Sequence, residues 1–436
     1  MTITAGGSTA LLTDHYELTM LQAALASGTA HRRSVFELFG RKLPEGRRYG
    51  VVAGVGRALE AIERFRFDEP TLAVLAEGGV VDRPTLDWLA DFRFSGDIWG
   101  YGEGEAYFPG SPLMVVEATF AEAVLLETLL LSIYNHDSAI AGAASRMTLA
   151  AGDRPCIDMG SRRTHEEAAV AAARAAYVAG FSASSNLAAR ARYGVPTTGT
   201  SAHAFTLLHD TEADAFRAQV RSLGTGTTLL VDTYDVAEAV RLAVEIAGPE
   251  LGGVRLDSGD LGVLAHDVRR QLDGLGATGT RIVVTSDLDE YAIASLAAAP
   301  VDGYGVGTRL VTGSGHPTSA FVYKLVAREG DDGAMVPVAK KSTNKTSVGG
   351  RKFAYRRLDA RGVATAEVIG IDHFPTPEPG TTDRPLHVQL VAKGEVVGRE
   401  TLDEARARHT AARAELPVAA QSLTRGDAVI PTVYDD

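Results

Sequence analysis

A single cysteine, Cys156, stands among 436 residues. One thiol closes no internal disulfide and builds no cysteine-cluster metal site, and such scarcity suits a reducing compartment. Positive charge is also in short supply: 43 basic against 55 acidic residues leave a formal net charge of −12. That balance argues against general binding to nucleic acid or to an anionic membrane, while leaving room for a local basic site that takes an anionic small molecule. Long apolar runs are missing as well. The most apolar stretch, AEAVLLETLLLSIY, is broken by Glu122 and Glu127 and reads as a buried helix rather than a membrane span. The first twenty residues have neither the basic start nor the apolar core of a signal peptide, so a cytoplasmic location is expected. No repeat of 20 to 50 residues is evident.

What is present is an ordinary soluble balance, 45% apolar and 22% charged, on a chain long enough for two domains or for one barrel with additions. From about residue 155 short apolar runs alternate with helical patterns. PCIDMGSRR leads into THEEAAVAAARAAYVAG, where Thr164 and Glu167 have capping-box spacing. TTLLVDTYD, GGVRLDSGD, RIVVTSD and VDGYGVGTRL continue the series. Strands alternating with helices predict a parallel sheet, either an α/β barrel or a doubly wound sheet. Asp232, Asp257 and Asp287 recur at the carboxyl ends of successive strands, the edge where such folds keep their chemistry. The chain ends differ, with short turn-punctuated β-like runs. We therefore expect an α+β domain from 1–130 with 335–436, and a barrel domain from 131–334.

Five constellations carry candidate chemistry. Gly303, Gly305 and Gly307 in GYGVGTRLVT form either a plain turn or a loop that presents N–H groups to a phosphate. Arg255 and Asp257 lie two apart at a strand end and face one side. They are either a structural ion pair or a carboxylate for ribose hydroxyls and Mg²⁺ beside an anion-binding arginine. Arg162 and Arg163 precede a helix and suit a carboxylate or phosphate. KKSTNKTSVGGRKFAYRR, from 340 to 357, holds seven basic residues and no acid. It is either a solvated loop or a glycine-flexed cover for diphosphate. Finally, GTSAHAF sets His203 among small residues, as a helix-start packing residue or as a reacting group. Together these point to a polyanionic, ribose-bearing substrate with histidine-centred chemistry.

As a set, TDHYELTM, FELFGRKLP, GSRRTHE, GFSASSNLAARARYGVP, GTSAHAF, LLVDTYD, VRLDSGDLG and GYGVGTRLVTG resemble, in this order, the nicotinate phosphoribosyltransferases, the actinobacterial branch in particular. The resemblance covers nearly the whole chain and is strongest from about 10 to 357. It implies a type II phosphoribosyltransferase fold: an incomplete α/β barrel plus a domain built from both chain ends. It further implies the joining of nicotinate to phosphoribosyl diphosphate, coupled to ATP hydrolysis through a phosphorylated histidine that by motif position is His203. Asp257 would bind ribose hydroxyls, directly or through Mg²⁺, and Gly305, Gly307 and Thr308 would hold the 5′-phosphate beside Ser286 and Asp287. Arg162 and Arg255 would face anionic groups, one of them near the nicotinate carboxylate. Tyr16, with Asp14 beside it, would stack on the pyridine from the partner subunit of a homodimer. Arg41 or Lys42, with Lys345, Arg351 and Lys352, would take the diphosphate and ATP. Gly199, Thr200, Ser201 and Ala202 would leave room for the terminal phosphate of ATP. Relatives that use nicotinamide carry an aspartate at the position aligned with Ser185, so an uncharged residue here favours nicotinate. Where relatives often have Pro-Gly before the basic segment, this chain has Val348-Gly349-Gly350.

Three rival functions are weighed by simple observations. A quinolinate phosphoribosyltransferase would need more cations for a second carboxylate and would ignore ATP. A non-catalytic relative would bind a phosphoribosyl ligand without turnover. A lyase or isomerase on an ordinary barrel lacks an evident strand-end lysine or metal-ligand histidine pair.

Overall fold

The computed structural model describes residues 7–340 and 347–435. The chain divides into two compact units, Met1–Ala139 with Thr318–Asp436, and Ile140–Pro317. Both chain ends thus belong to one unit. The later boundary falls earlier than residue 335, because the strand Phe321–Glu329 pairs antiparallel with Arg33–Gly40 along its whole length.

In the unit of the chain ends, seven antiparallel-paired strands run in the order Met335–Pro337, Phe321–Glu329, Arg33–Gly40, Pro112–Thr119, Asp97–Tyr101, His387–Ala392, Glu395–Val396. The third strand of that order, RSVFELFG, is buried at every position but its first. It does not alternate as a half-exposed strand would, because both faces of the sheet are covered. Phe36 stacks on Tyr323 and Leu38 is fully buried in the same core. A four-stranded sheet adds Thr382–Pro385, Lys352–Leu358, Ala364–Ile371 and, in parallel, Thr432–Asp435. Among the described residues no helix is long and apolar enough to cross a membrane.

The other unit holds six strands, all parallel, in the spatial order Ala183–Ser184, Cys156–Asp158, Gly303–Val306, Arg281–Ser286, Gly253–Leu256, Thr228–Leu230. Val254, Leu256, Ile282, Val284, Tyr304 and Val306 are buried, as expected of parallel strands covered by helices on one side. The first and last strands in this order do not pair with each other, so the sheet is an incomplete α/β barrel. The expected helix start after GSRR is shifted by one residue. His165, not Thr164, is the N-cap of Glu166–Val178, its Nδ1 accepting from the Glu167 N–H at 3.3 Å.

Candidate active site

The loops at the carboxyl edge of the half barrel carry more aspartates than chemistry needs, and local structure sorts them. In VDTYD, Asp235 caps the helix Val236–Ala247 by accepting from the Glu238 N–H. In LDSGD, Asp260 caps Leu261–Gly274 by accepting from the Val263 N–H, and Asp289 caps Glu290–Ser295. These carboxylates satisfy N–H groups that the first helical turn leaves orphaned. The aspartate nearest each strand end, Asp232 and Asp257, is left for other work.

His203 is the first residue of the short helix His203–Leu207, and its side chain is partly exposed. Its Nδ1 lies 3.2 Å from Thr233 Oγ1. Its Nε2 faces two carboxylates, 3.9 Å from Asp232 Oδ1 and 3.9 Å from Asp257 Oδ2. Those distances are too long for hydrogen bonds and lie within ion-pair range when the ring is protonated. The Asp232 side chain is only 3% exposed. Its Oδ2 accepts from the Asp257 N–H at 2.9 Å and from Ser258 Oγ at 2.6 Å. Its Oδ1 is buried and has no hydrogen-bond partner among the described residues. A buried carboxylate oxygen without a donor is costly, and the His203 Nε2 faces it at 3.9 Å. Asp257 is held in turn through its Oδ1, which accepts from the Thr285 hydroxyl.

Arg255 leaves the same strand two residues before Asp257. Its Nη1 donates to Thr200 Oγ1 at 2.7 Å, which ties the loop ahead of His203 to the sheet. Burial lowers the pKa of this guanidinium, Asp257 and Asp232 oppose the effect, and Arg162 adds to it. A partly desolvated arginine beside a second arginine is poised for an anion. Arg162, Ser185, Ser286 and Asp287 are exposed at or just past strand ends. Asp158 ends the strand Cys156–Asp158 and is buried, its Oδ2 accepting from Ser184 Oγ at 2.7 Å and its Oδ1 from the Gly160 N–H at 2.8 Å. Burial raises its pKa. Gly305 proves to be a packing glycine. It is buried within its strand, and a Cβ there would come within 2.4 Å of Thr285 Cγ2 and 2.7 Å of Met159 Sδ. Gly307 follows that strand and is the N-cap of Thr308–Val311, so the loop character read from the sequence belongs to Gly307.

The remaining expected residues lie on the unit of the chain ends. Asp14 caps the helix His15–Ala26, accepting from the His15 N–H at 2.8 Å. Tyr16 is 43% exposed, and burial of its hydroxyl beside Glu127 and Glu17 pushes its pKa well above the usual phenol value. Arg41 sits 5.8 Å over the Phe39 ring, with Nε buried and unpartnered among the described residues. Arg351 is engaged, donating to Glu117 at 3.0 Å and lying 3.8 Å over the Phe353 ring. Lys352 corrects the sequence reading. Its ammonium is 1% exposed, 2.5 Å from Glu37 Oε2 and 2.8 Å from the Val348 carbonyl. A lysine so buried and paired is a structural cation. Lys345 lies outside the described residues. Thr233, Thr285 and Asp158 had escaped the sequence reading, and Asp232 had been noted only as part of a recurrence. A small residue directly after a strand-end aspartate, as in Asp232-Thr233, is the signal that was present.

A parallel half barrel with strand-end carboxylates, arginines and a histidine, beside a separate mixed-sheet unit, is the architecture of the type II phosphoribosyltransferases. Residues 11–135 match the family model described as the nicotinate phosphoribosyltransferase N-terminal domain. The chain is 57% identical over 433 residues to nicotinate phosphoribosyltransferase pncB1 of Mycobacterium tuberculosis, covering 97% of this chain and 94% of that one. It is 39% identical over 364 residues to the nicotinate phosphoribosyltransferase of Bacillus subtilis, covering 81% and 74%. The crystal structure of human nicotinic acid phosphoribosyltransferase superimposes with a TM-score of 0.83 at 27% identity, covering 98% of each chain. The chain belongs to the nicotinate phosphoribosyltransferase family.

Proposed function

We propose that this chain joins nicotinate to phosphoribosyl diphosphate, giving nicotinate mononucleotide and diphosphate, and that ATP drives the reaction through a phosphoryl group carried by His203. The observation that carries the reading is the His203 cluster at the carboxyl edge of the half barrel. With two carboxylates facing Nε2, neutral imidazole keeps its proton there and leaves the Nδ1 lone pair to react. Attack of Nδ1 on the terminal phosphorus of ATP would form the N–P bond as the bridging P–O bond breaks. ADP leaves with the electron pair, and the charge that remains on the ring is balanced by Asp232 and Asp257. Water would later take the phosphoryl group and restore the lone pair.

The glycosyl transfer passes through an oxocarbenium-like state, so positioning and stabilisation of the departing diphosphate matter most. Asp257, held through Oδ1 and with its Oδ2 toward the His203 ring, suits the ribose hydroxyls. Arg255 and Arg162 suit the nicotinate carboxylate or a phosphate, and Gly307 and Thr308 the 5′-phosphate. Among the described residues no three His, Cys, Asp or Glu side chains converge on a metal site. Mg²⁺ would arrive with the diphosphate, with Asp257 able to add one oxygen, and would supply charge neutralisation of the leaving group. Ser185, uncharged, admits a carboxylate-bearing ring. The reading includes a cytoplasmic homodimer, with Tyr16 offered across the dimer to the pyridine.

The test is product formation from labelled nicotinate, phosphoribosyl diphosphate and Mg²⁺, with and without ATP, for the wild type and His203→Ala. Stimulation by ATP in the wild type alone supports the whole reading. Turnover indifferent to ATP and to His203 keeps the transferase and removes the coupling. No nicotinate consumption under any condition overturns the function.

A further inference from the structure

From the contacts of the imidazole we infer that Thr233 is the positioning residue for His203, and that its hydroxyl first orients the ring and then donates a hydrogen bond to an oxygen of the phosphoryl group that Nδ1 carries. The inference rests on the phosphohistidine reading above and concerns a residue to which that reading gives no part.

The two ring nitrogens meet different chemistry. Two carboxylates face Nε2, and they suit an N–H and repel a phosphate. Nδ1 meets a hydroxyl, 3.2 Å away, from the loop after the strand Thr228–Leu230. A hydroxyl is both donor and acceptor and rotates freely. Toward neutral imidazole it donates to the Nδ1 lone pair. That bond holds the ring plane so that Nε2 stays turned to Asp232 and Asp257. It is also weak and reversible, so it yields when phosphorus approaches. Once Nδ1 carries the phosphoryl group, the same O–H can swing to a phosphoryl oxygen, and the contact is exchanged rather than lost. A carboxylate in this place would repel ATP, and an apolar side chain would leave the ring free to turn.

Two neighbours show that the ring position is built rather than incidental. Thr200, three residues before His203, is tied to Arg255, which fixes the incoming backbone. Asp232, adjacent in sequence to Thr233, is immobilised by the Asp257 N–H and the Ser258 hydroxyl. Thr233 therefore stands on a clamped loop, and the His203 backbone is clamped separately. The Thr233 hydroxyl is the contact that registers one against the other.

The experiment is incorporation of phosphate from terminally labelled ATP into the full-length protein, read as acid-labile, base-stable phosphoenzyme in rapid-quench time courses. Wild type, Thr233→Val and Thr233→Ser are compared, with thermal unfolding run in parallel. Valine keeps the shape and removes the hydroxyl, and serine keeps the hydroxyl. Loss of one such contact in the reacting geometry corresponds to about a tenfold slower phosphorylation, on the order of 1.4 kcal/mol. We expect that loss in Thr233→Val, recovery to within about twofold of wild type in Thr233→Ser, and unchanged unfolding in both. Equal rates in wild type and Thr233→Val overturn the inference. So does an equal loss in Thr233→Val and Thr233→Ser, since the γ-methyl would then be what matters. Should the valine variant fail to fold, Thr233→Ala takes its place under the same criteria. Absence of phosphoenzyme from the wild type instead sinks the coupling reading of His203, and the role of Thr233 with it.

Discussion

Lys352 and Lys345 lie in one basic run, yet the chain uses Lys352 as part of its core. The ammonium is paired with Glu37, and both side chains are at most 3% exposed. Burial pushes the Glu37 carboxyl upward in pKa, while Lys352 pulls it back. Removing one partner of such a pair strands the other charge, at a cost of about 3–5 kcal/mol. Lys352→Ala is therefore expected to destabilise the unit of the chain ends by about that amount, as measured by denaturant unfolding. The double variant Glu37→Gln with Lys352→Met should recover much of the loss. If Lys352→Ala left stability intact and weakened only diphosphate affinity, the structural assignment would be wrong. At this scale sequence reading is least able to judge. A run of basic residues shows charge but not depth, and Lys352 is buried by its strand position between Glu37 and the Val348 carbonyl.

The recurring aspartates are decided one level up, by the elements they join. Each strand-to-helix passage needs an N-cap, and VDTYD and LDSGD each supply one three residues past the strand-end aspartate. That division of labour was legible in part. The alternation of strands and helices, the parallel sheet and the carboxyl-edge placement of Asp232 and Asp257 follow from local apolar patterning and turn chemistry. The contacts of His203 with Thr233 and Asp232, and of Thr285 with Asp257, were not legible, because they join loops of different strands and depend on the barrel's lateral order. The Thr164 cap failed for a smaller reason: the helix begins one residue later and a histidine nitrogen serves as acceptor. The division predicts separable effects. Asp235→Ala should cost about 1 kcal/mol of stability in the unit that carries it while keeping nicotinate turnover, since only a cap is lost. Asp232→Ala should abolish phosphoenzyme. Turnover and stability measured on both variants check the assignment, and loss of chemistry in Asp235→Ala would refute it.

Across the whole molecule the two units carry buried groups that titrate in opposite senses. In the unit of the chain ends, the His387 Nε2–H donates to the Pro112 carbonyl at 2.6 Å, and its Nδ1 is buried without a partner among the described residues. Burial pulls its pKa down to about 4. The folded form thus holds neutral imidazole, and its contribution is complete above the unfolded value of roughly 6.5 and lost as pH falls toward 4. His409 in the same unit behaves alike, with burial lowering its pKa to about 3. In the half-barrel unit Glu212 is buried at the start of its helix, with Oε1 unpartnered among the described residues. Burial, with Glu238 and Asp235 adding, raises its pKa to about 7. The fold there favours the protonated acid, so the contribution is present at low pH and lost as pH rises through 7. Between pH 5 and 7.5, hydrogen exchange should therefore slow with rising pH-corrected stability around His387 and quicken around Glu212. Glu212→Gln should remove the second trend and leave the first. Parallel trends in both units would mean that these groups do not set the pH response, and that the two units unfold as one.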